Sequence, residues 1–261
     1  MKKVTILGLY LVSLSFGVHS EETGLNARNI HGKYSRKEVQ EENNFRNKVI
    51  GLIVDTESEA TCTGTLIGPR QVLTAAHCIY DFKTKEWSES FIFSPGKNSF
   101  TTGLIPTTYS FKKIFVQKEY IETMKEEYDF AVIELDGPAG DLVGWAGFRA
   151  IQKKEIIATR EFPITFAGYP GDKDYGTLWS VSCPGVITDE LFFYLCDSYG
   201  GMSGSALFLE NDLNNFIVGV HTFGGDEKNG GVYINSKNYE LINAWKNLSQ
   251  YSANTVVHLK K

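Results

Sequence analysis

The chain has 261 residues, 42% of them hydrophobic, an ordinary share for a globular protein. Its net charge is −5, and removing residues 1–20, whose only charges are Lys2 and Lys3, takes it to −7. That acidity argues against nucleic acid or an anionic membrane surface as a partner.

Lys2 and Lys3 open the chain, residues 4–18 are uncharged and mostly apolar, and Val18-His19-Ser20 closes the run. This is the layout of a secretory signal peptide over residues 1–20. A spanning helix needs about 20 apolar residues, and no later stretch is long and apolar enough to cross a membrane. Residues 21–48 are polar and charged with little periodicity, which reads as a short pro-segment over 21–28 followed by a mature arm.

From residue 49 the pattern changes to short β-rich runs punctuated by Gly, Pro, Asn and Asp. Strands are expected over 49–54, 63–67, 71–74, 90–93, 113–116, 130–135, 164–167, 179–187, 191–196, 205–208, 217–222 and 231–234. Many short strands with frequent turn signals indicate an all-β sandwich or barrels. A turn-rich boundary near 138–145 divides them into two six-stranded halves within one domain, 29–248, and leaves a cleft between the halves. Leu241, Ile242, Trp245 and Leu248 fall at helical spacing, with Ser236 or Asn238 as the cap. The tail, 249–261, reads as loosely ordered.

Four cysteines allow three pairings. Hairpins turning at 68–70 and at 188–190 favour Cys62 with Cys78 and Cys183 with Cys196, in keeping with an exported, oxidised chain.

Three segments carry the chemistry. His77 follows a strand and small residues in Leu73-Thr74-Ala75-Ala76-His77-Cys78, where a crosslinked neighbour fixes an imidazole that titrates near working pH. Ser203 sits in Gly200-Gly201-Met202-Ser203-Gly204-Ser205. A serine hydroxyl needs a base to become a nucleophile, and the glycines let the amides of Gly201 and Ser203 converge on a developing oxyanion. Read alone, this segment is equally a Gly/Ser surface turn. Asp129 opens the apolar run Phe130-Ala131-Val132-Ile133, where a carboxylate needs a partner such as a histidine N–H. The order His, Asp, Ser on an all-β chain differs from that of the α/β-hydrolases and the subtilisins and selects the chymotrypsin-like arrangement.

These three stretches resemble the signatures of chymotrypsin-like serine peptidases. Together with Cys62-Thr63-Gly64-Thr65-Leu66-Ile67, Gly168-Tyr169-Pro170-Gly171-Asp172-Lys173 and Val218-Gly219-Val220-His221 they resemble the bacterial glutamyl endopeptidases, the V8 protease group, from about residue 29 to 248. The resemblance implies a double six-stranded β-barrel with a C-terminal helix and a secreted endopeptidase with His77, Asp129 and Ser203 as its triad. It further implies a substrate pocket in which Ser198, His221 and the amine of Asn29 bind an acidic side chain. Asp197, six residues before Ser203, stands where trypsin-like enzymes bind Lys or Arg, so a basic preference is the alternative. A core role for His221, and a silent homologue that only binds proteins, are the others. The reading requires no cofactor and no metal, expects protein or peptide substrates, and expects a monomer. It gives no role to the charged stretch 83–89 or to Met202, whose side chain could alter the cleft wall.

Overall fold

The computed structural model describes residues 29–40, 45–97, 108–188, 190–210, 212, 214–247 and 254–260. The expected signal peptide, the expected pro-segment and Leu248 lie outside the described residues.

Two antiparallel barrels make up the molecule. The first is built from β1 (Ile50–Asp55), β2 (Thr61–Leu66), β3 (Gln71–Thr74), β4 (Phe91–Pro95), β5 (Phe111–Gln117) and β6 (Ala131–Leu135). Its hydrogen-bonded order is β5-β6-β3-β2-β1-β4, and paired bonds between Phe93 and Tyr109 join β4 back towards β5. The second comprises β7 (Phe162–Gly168), β8 (Trp179–Thr188), β9 (Leu191–Tyr194), β10 (Ala206–Leu209), β11 (Ile217–Phe223) and β12 (Asn229–Tyr233). Its order is β8-β7-β10-β11-β12-β9, closed by pairing of β8 with β9. Between the barrels the chain passes through a short helix, Ala139–Val143.

Alternation decides the strands. In β8, Val181, Cys183, Gly185 and Ile187 point inwards and the residues between them outwards, as a strand with one wet face requires. All five residues of β6 are buried, and its sequence is correspondingly apolar, Glu134 excepted. Curling the first barrel brings backbones close: a Cβ on Gly51 would lie 2.3 Å from the Phe93 ring. One apolar cluster fills the first barrel and runs on into second-barrel residues such as Phe208, Ile217 and Val220, a second fills the rest of the second barrel, and burying each large side chain contributes about 2 kcal/mol.

The C-terminal helix, Ser236–Asn247, lays Leu241, Ile242 and Trp245 on the first barrel. Its cap differs from expectation. Asn235 Oδ1 accepts the Asn238 amide at 2.8 Å, while the Asn238 side chain donates to Tyr233 O at 3.0 Å. An Asn one residue earlier satisfies the first-turn amide, and Ser236 is already inside the helix. The tail differs too. Thr255–Leu259 forms a further strand, β13, antiparallel to β5 with His258 opposite Ile114. Its β-branched residues find a free strand edge, and Trp245 Nε1 donates to Thr255 Oγ1 at 3.0 Å.

The arm, 29–40, runs along the second barrel. Lys37 and Glu38 pair with Ser180 and Trp179. The Arg36 guanidinium grips Asp172 with two bonds of 2.7 Å. Burial works against the Asp172 carboxylate, but Arg36 holds it below the usual carboxylate range.

Candidate active site

Register alone brings His77 to Asp129. Strands β3 and β6 pair antiparallel with Thr74 opposite Ala131. A residue three beyond the end of β3 therefore meets one two before the start of β6. His77 lies in the tight turn Ala76–Cys78. Its amide donates to Asp129 Oδ1 at 2.9 Å, and its ring Nδ1 lies 2.6 Å from Asp129 Oδ2. Asp129 is buried while the His77 side chain is 34% exposed. Burial disfavours the imidazolium, but the charge and hydrogen bond of Asp129 outweigh it and raise the pKa of His77 above its ordinary value. The Nδ1 contact leaves Nε2 as the nitrogen turned to the cleft.

Ser203 belongs to the loop before β10. It shares with His77 a cleft of about 700 Å³. No hydrogen bond joins its hydroxyl to the His77 ring, a contact that in enzymes often tightens only when substrate binds. The loop turns through Gly201 and Gly204, at φ of 97° and 86°, a region that favours glycine. Within the loop the Met202 amide donates to Tyr199 O and the Ser205 amide to Met202 O. The amides of Gly201 and Ser203 have no partner among the described residues. They are the pair available to an oxyanion. Met202 is fully buried among Ile164, Phe166 and Cys196. It is a core residue of the second barrel and does not line the cleft, which gives Met202 a packing role that the sequence left open.

Sequence reasoning missed the residue that holds this loop in place. Thr63, on β2 of the first barrel, donates its hydroxyl to Gly201 O at 2.8 Å and its amide to Ser203 O at 2.8 Å. The same hydroxyl accepts the Tyr169 amide at 3.1 Å. Gly171 N donates to Gly200 O at 2.7 Å from the other side. The stretches 62–67 and 168–173 are thus the two supports of the serine loop. No local pattern marks Thr63, because its partners are over 100 residues away.

His221 and Ser198 lie beside that loop. Gly204 N donates to His221 O, and His221 N to Ser205 O, each at 2.8 Å. The His221 ring is 3% exposed, is stacked on Phe166 at 5.1 Å, and has Nδ1 2.6 Å from Tyr194 Oη and 3.1 Å from Gly230 O. Burial lowers its pKa to about 4, only partly opposed by the Gly230 carbonyl. The Ser198 hydroxyl is fully buried and has no protein partner. Asn29 reaches the same place: its carbonyl accepts the Ser198 amide at 3.1 Å and Asn229 Nδ2 at 2.8 Å. Asn229, unremarked in the sequence, also donates to Cys196 O at 2.7 Å.

Asp197 is 4% exposed. Its Oδ1 accepts the amides of His31 and Gly32 at 2.7 and 2.8 Å. Cys62 is bonded to Cys78, and Cys183 to Cys196.

Residues 38–242 match the family model described as Trypsin. The chain belongs to the trypsin family. Among trypsin-family relatives it is 34% identical over 206 residues to a glutamyl endopeptidase of Bacillus licheniformis, covering 75% of this chain and 62% of that one. It is 31% identical to a Bacillus subtilis protein named extracellular metalloprotease, over 74% of this chain and 60% of the relative. The chain thus spans somewhat over half the length of these curated relatives. A solved structure described as Glu endopeptidase in complex with MPD superposes with a TM-score of 0.72 at 30% identity, covering 84% of this chain and 99% of the other. The name metalloprotease belongs to that relative. Here the one cluster of metal-type ligands among the described residues is Cys62, His77 and Cys78, and its two sulfurs are joined to each other as a disulfide, which leaves no thiolate to bind a metal.

Proposed function

We propose that the protein is a serine endopeptidase that cleaves after glutamate or aspartate. The observation that carries the chemistry is the two-point contact of His77 with Asp129 at the cleft that Ser203 shares. In this reading Ser203 Oγ attacks the carbonyl and His77 Nε2 takes its proton. The amides of Gly201 and Ser203 receive the oxyanion, and His77 returns the proton to the leaving amine. Water then hydrolyses the acyl-enzyme by the same route. Asp129 holds the ring and stabilises its charged form. The chain's own residues account for each step, with protein or peptide as substrate.

The acidic preference draws its support from Asp197 and Ser198. One oxygen of the Asp197 carboxylate already caps two amides of the arm, which favours an anchoring role for it over binding Lys or Arg. Ser198 offers a buried hydroxyl with no partner among the described residues. A substrate carboxylate there would raise the His221 pKa, so that binding takes up a proton and creates a charged donor. The Asn29 carbonyl bonded at the same spot supports a role for the mature N-terminus after cleavage at residue 28. Two disulfides support secretion through the signal-like segment 1–20.

The test is a cleavage map. The protein freed of residues 1–28, and its Ser203→Ala variant, are incubated with a denatured protein mixture and new termini are read by mass spectrometry. Cuts after Glu and Asp that vanish with Ser203→Ala are expected, and Asp197→Asn should leave them in place. Cuts after Lys or Arg would return the pocket to Asp197. No Ser203-dependent cut would favour a binding protein built on the same fold.

A further inference from the structure

The cleft that holds His77 and Ser203 has neither His221 nor Ser198 in its wall. It runs over the Cys62–Cys78 disulfide between two turns of the first barrel, 55–60 and 80–90, with Tyr80, Trp87, Ser88 and Glu89 in its wall. A peptide whose one side chain is fixed beside His221 must lay the portion beyond the scissile bond in this direction. The 80–90 segment is a short ribbon, with Tyr80 opposite Trp87 and Asp81 opposite Glu86. Isolated two-stranded ribbons are marginal on their own, so something else fixes its position.

Two attachments do so. On the cleft side, the Ser88 and Ser90 hydroxyls donate to Asp55, whose Oδ1 also caps the amides of Glu57 and Ser58 at 2.9 Å. Behind the ribbon stands β13. The His258 ring stacks on Trp87, with centroids 4.7 Å apart and planes 7° from parallel, and its Nε2 lies 2.8 Å from Glu89 Oε1. The His258 side chain is 12% exposed, and the main chain on either side of it pairs with β5.

We propose that the C-terminal strand is part of the substrate-binding apparatus. His258, seated between Trp87 and Glu89, is a positioning residue that sets the wall for the leaving portion of a peptide substrate. This rests on the peptidase reading above. It also gives a role to the charged stretch 83–89: those side chains ride on a ribbon whose orientation the far end of the chain determines.

The test compares two substrates with the same acidic residue at the scissile bond. One is a glutamyl anilide with nothing but the dye beyond that bond, and the other a quenched fluorescent peptide continuing for several residues. His258→Ala should lower kcat/KM for the long peptide about tenfold, chiefly through KM, and leave the anilide unchanged. His258→Phe, which keeps the stacking, should recover most of the loss. Amide hydrogen exchange of 80–90 should quicken in His258→Ala and remain slow in β3 and β6. Equal losses on both substrates, or no loss on either, would overturn the proposal, as would unchanged exchange at 80–90. A parent protein that cleaves neither substrate would instead overturn the peptidase reading, and exchange would then decide the strand's role by itself.

Discussion

Asp129 grips His77 at both the backbone and the ring, and the two contacts have separate consequences. The amide bond holds the turn, and the Nδ1 contact selects the tautomer. Asp129→Asn should keep the fold and lower kcat by about 10⁴, because an amide in that place favours the wrong ring nitrogen as donor. A pH profile adds a second reading. His77 acts as a base only when neutral and its pKa is raised, so the acid limb of kcat/KM should lie above pH 6.5 and move down in Asp129→Asn. His221 has the opposite sign. Its pKa falls to about 4 in the folded chain, so between pH 6.5 and 4 the unfolded chain binds a proton that the folded one does not. Stability should drop by about 3 kcal/mol over that window on acidification. Urea unfolding of the parent and of His221→Phe, near neutral pH and near pH 4, checks this: the variant should lose the slope. The residues proposed to do the chemistry could be picked out because each sits in a distinctive local string. Those that aim them, Thr63 and Asn229, act through backbone contacts across long separations and leave no such string.

Among the elements, the serine loop is under tight steric control. A Cβ on Gly204 would lie 2.1 Å from Thr63 O and 2.2 Å from Thr74 Oγ1, on a backbone with φ of 86°. Gly204→Ala should therefore destabilise the protein by about 2 kcal/mol or more and abolish activity. Thermal melting with an activity assay tests both. The barrel strands could be read from short β-rich runs between turn residues, alternating where one face is wet, as in β8, and continuous where both are buried, as in β6. Cap and tail could not. The helix cap depended on whether residue 235 or 236 is the last extended one, which periodicity does not resolve. The tail, Thr255-Val256-Val257-His258-Leu259, has strand-forming residues but too short a run to announce itself. Only the open edge of β5, a tertiary fact, makes it a strand.

Across the whole molecule, the proposed base and nucleophile come from different barrels. His77 and Asp129 belong to the first barrel, Ser203 and His221 to the second, and Thr63 ties the serine loop across the seam. Thr63→Val keeps the volume but leaves Gly201 O and Tyr169 N without that hydroxyl. It should lower kcat by about 10², the effect of a misplacement near 1 Å, with a loss of stability of about 1–3 kcal/mol. Kinetics beside a denaturant curve separates the two effects. That crossing residue, which shares the seam with Tyr169, whose hydroxyl donates to Lys97 O at 2.8 Å, also bears on how the protein ages in use. Warming can let the halves slip past each other while each cylinder is still intact. Hydrolysis should then fail several degrees before the far-ultraviolet circular dichroism changes, and return on cooling, so that storage life is governed by alignment sooner than by melting.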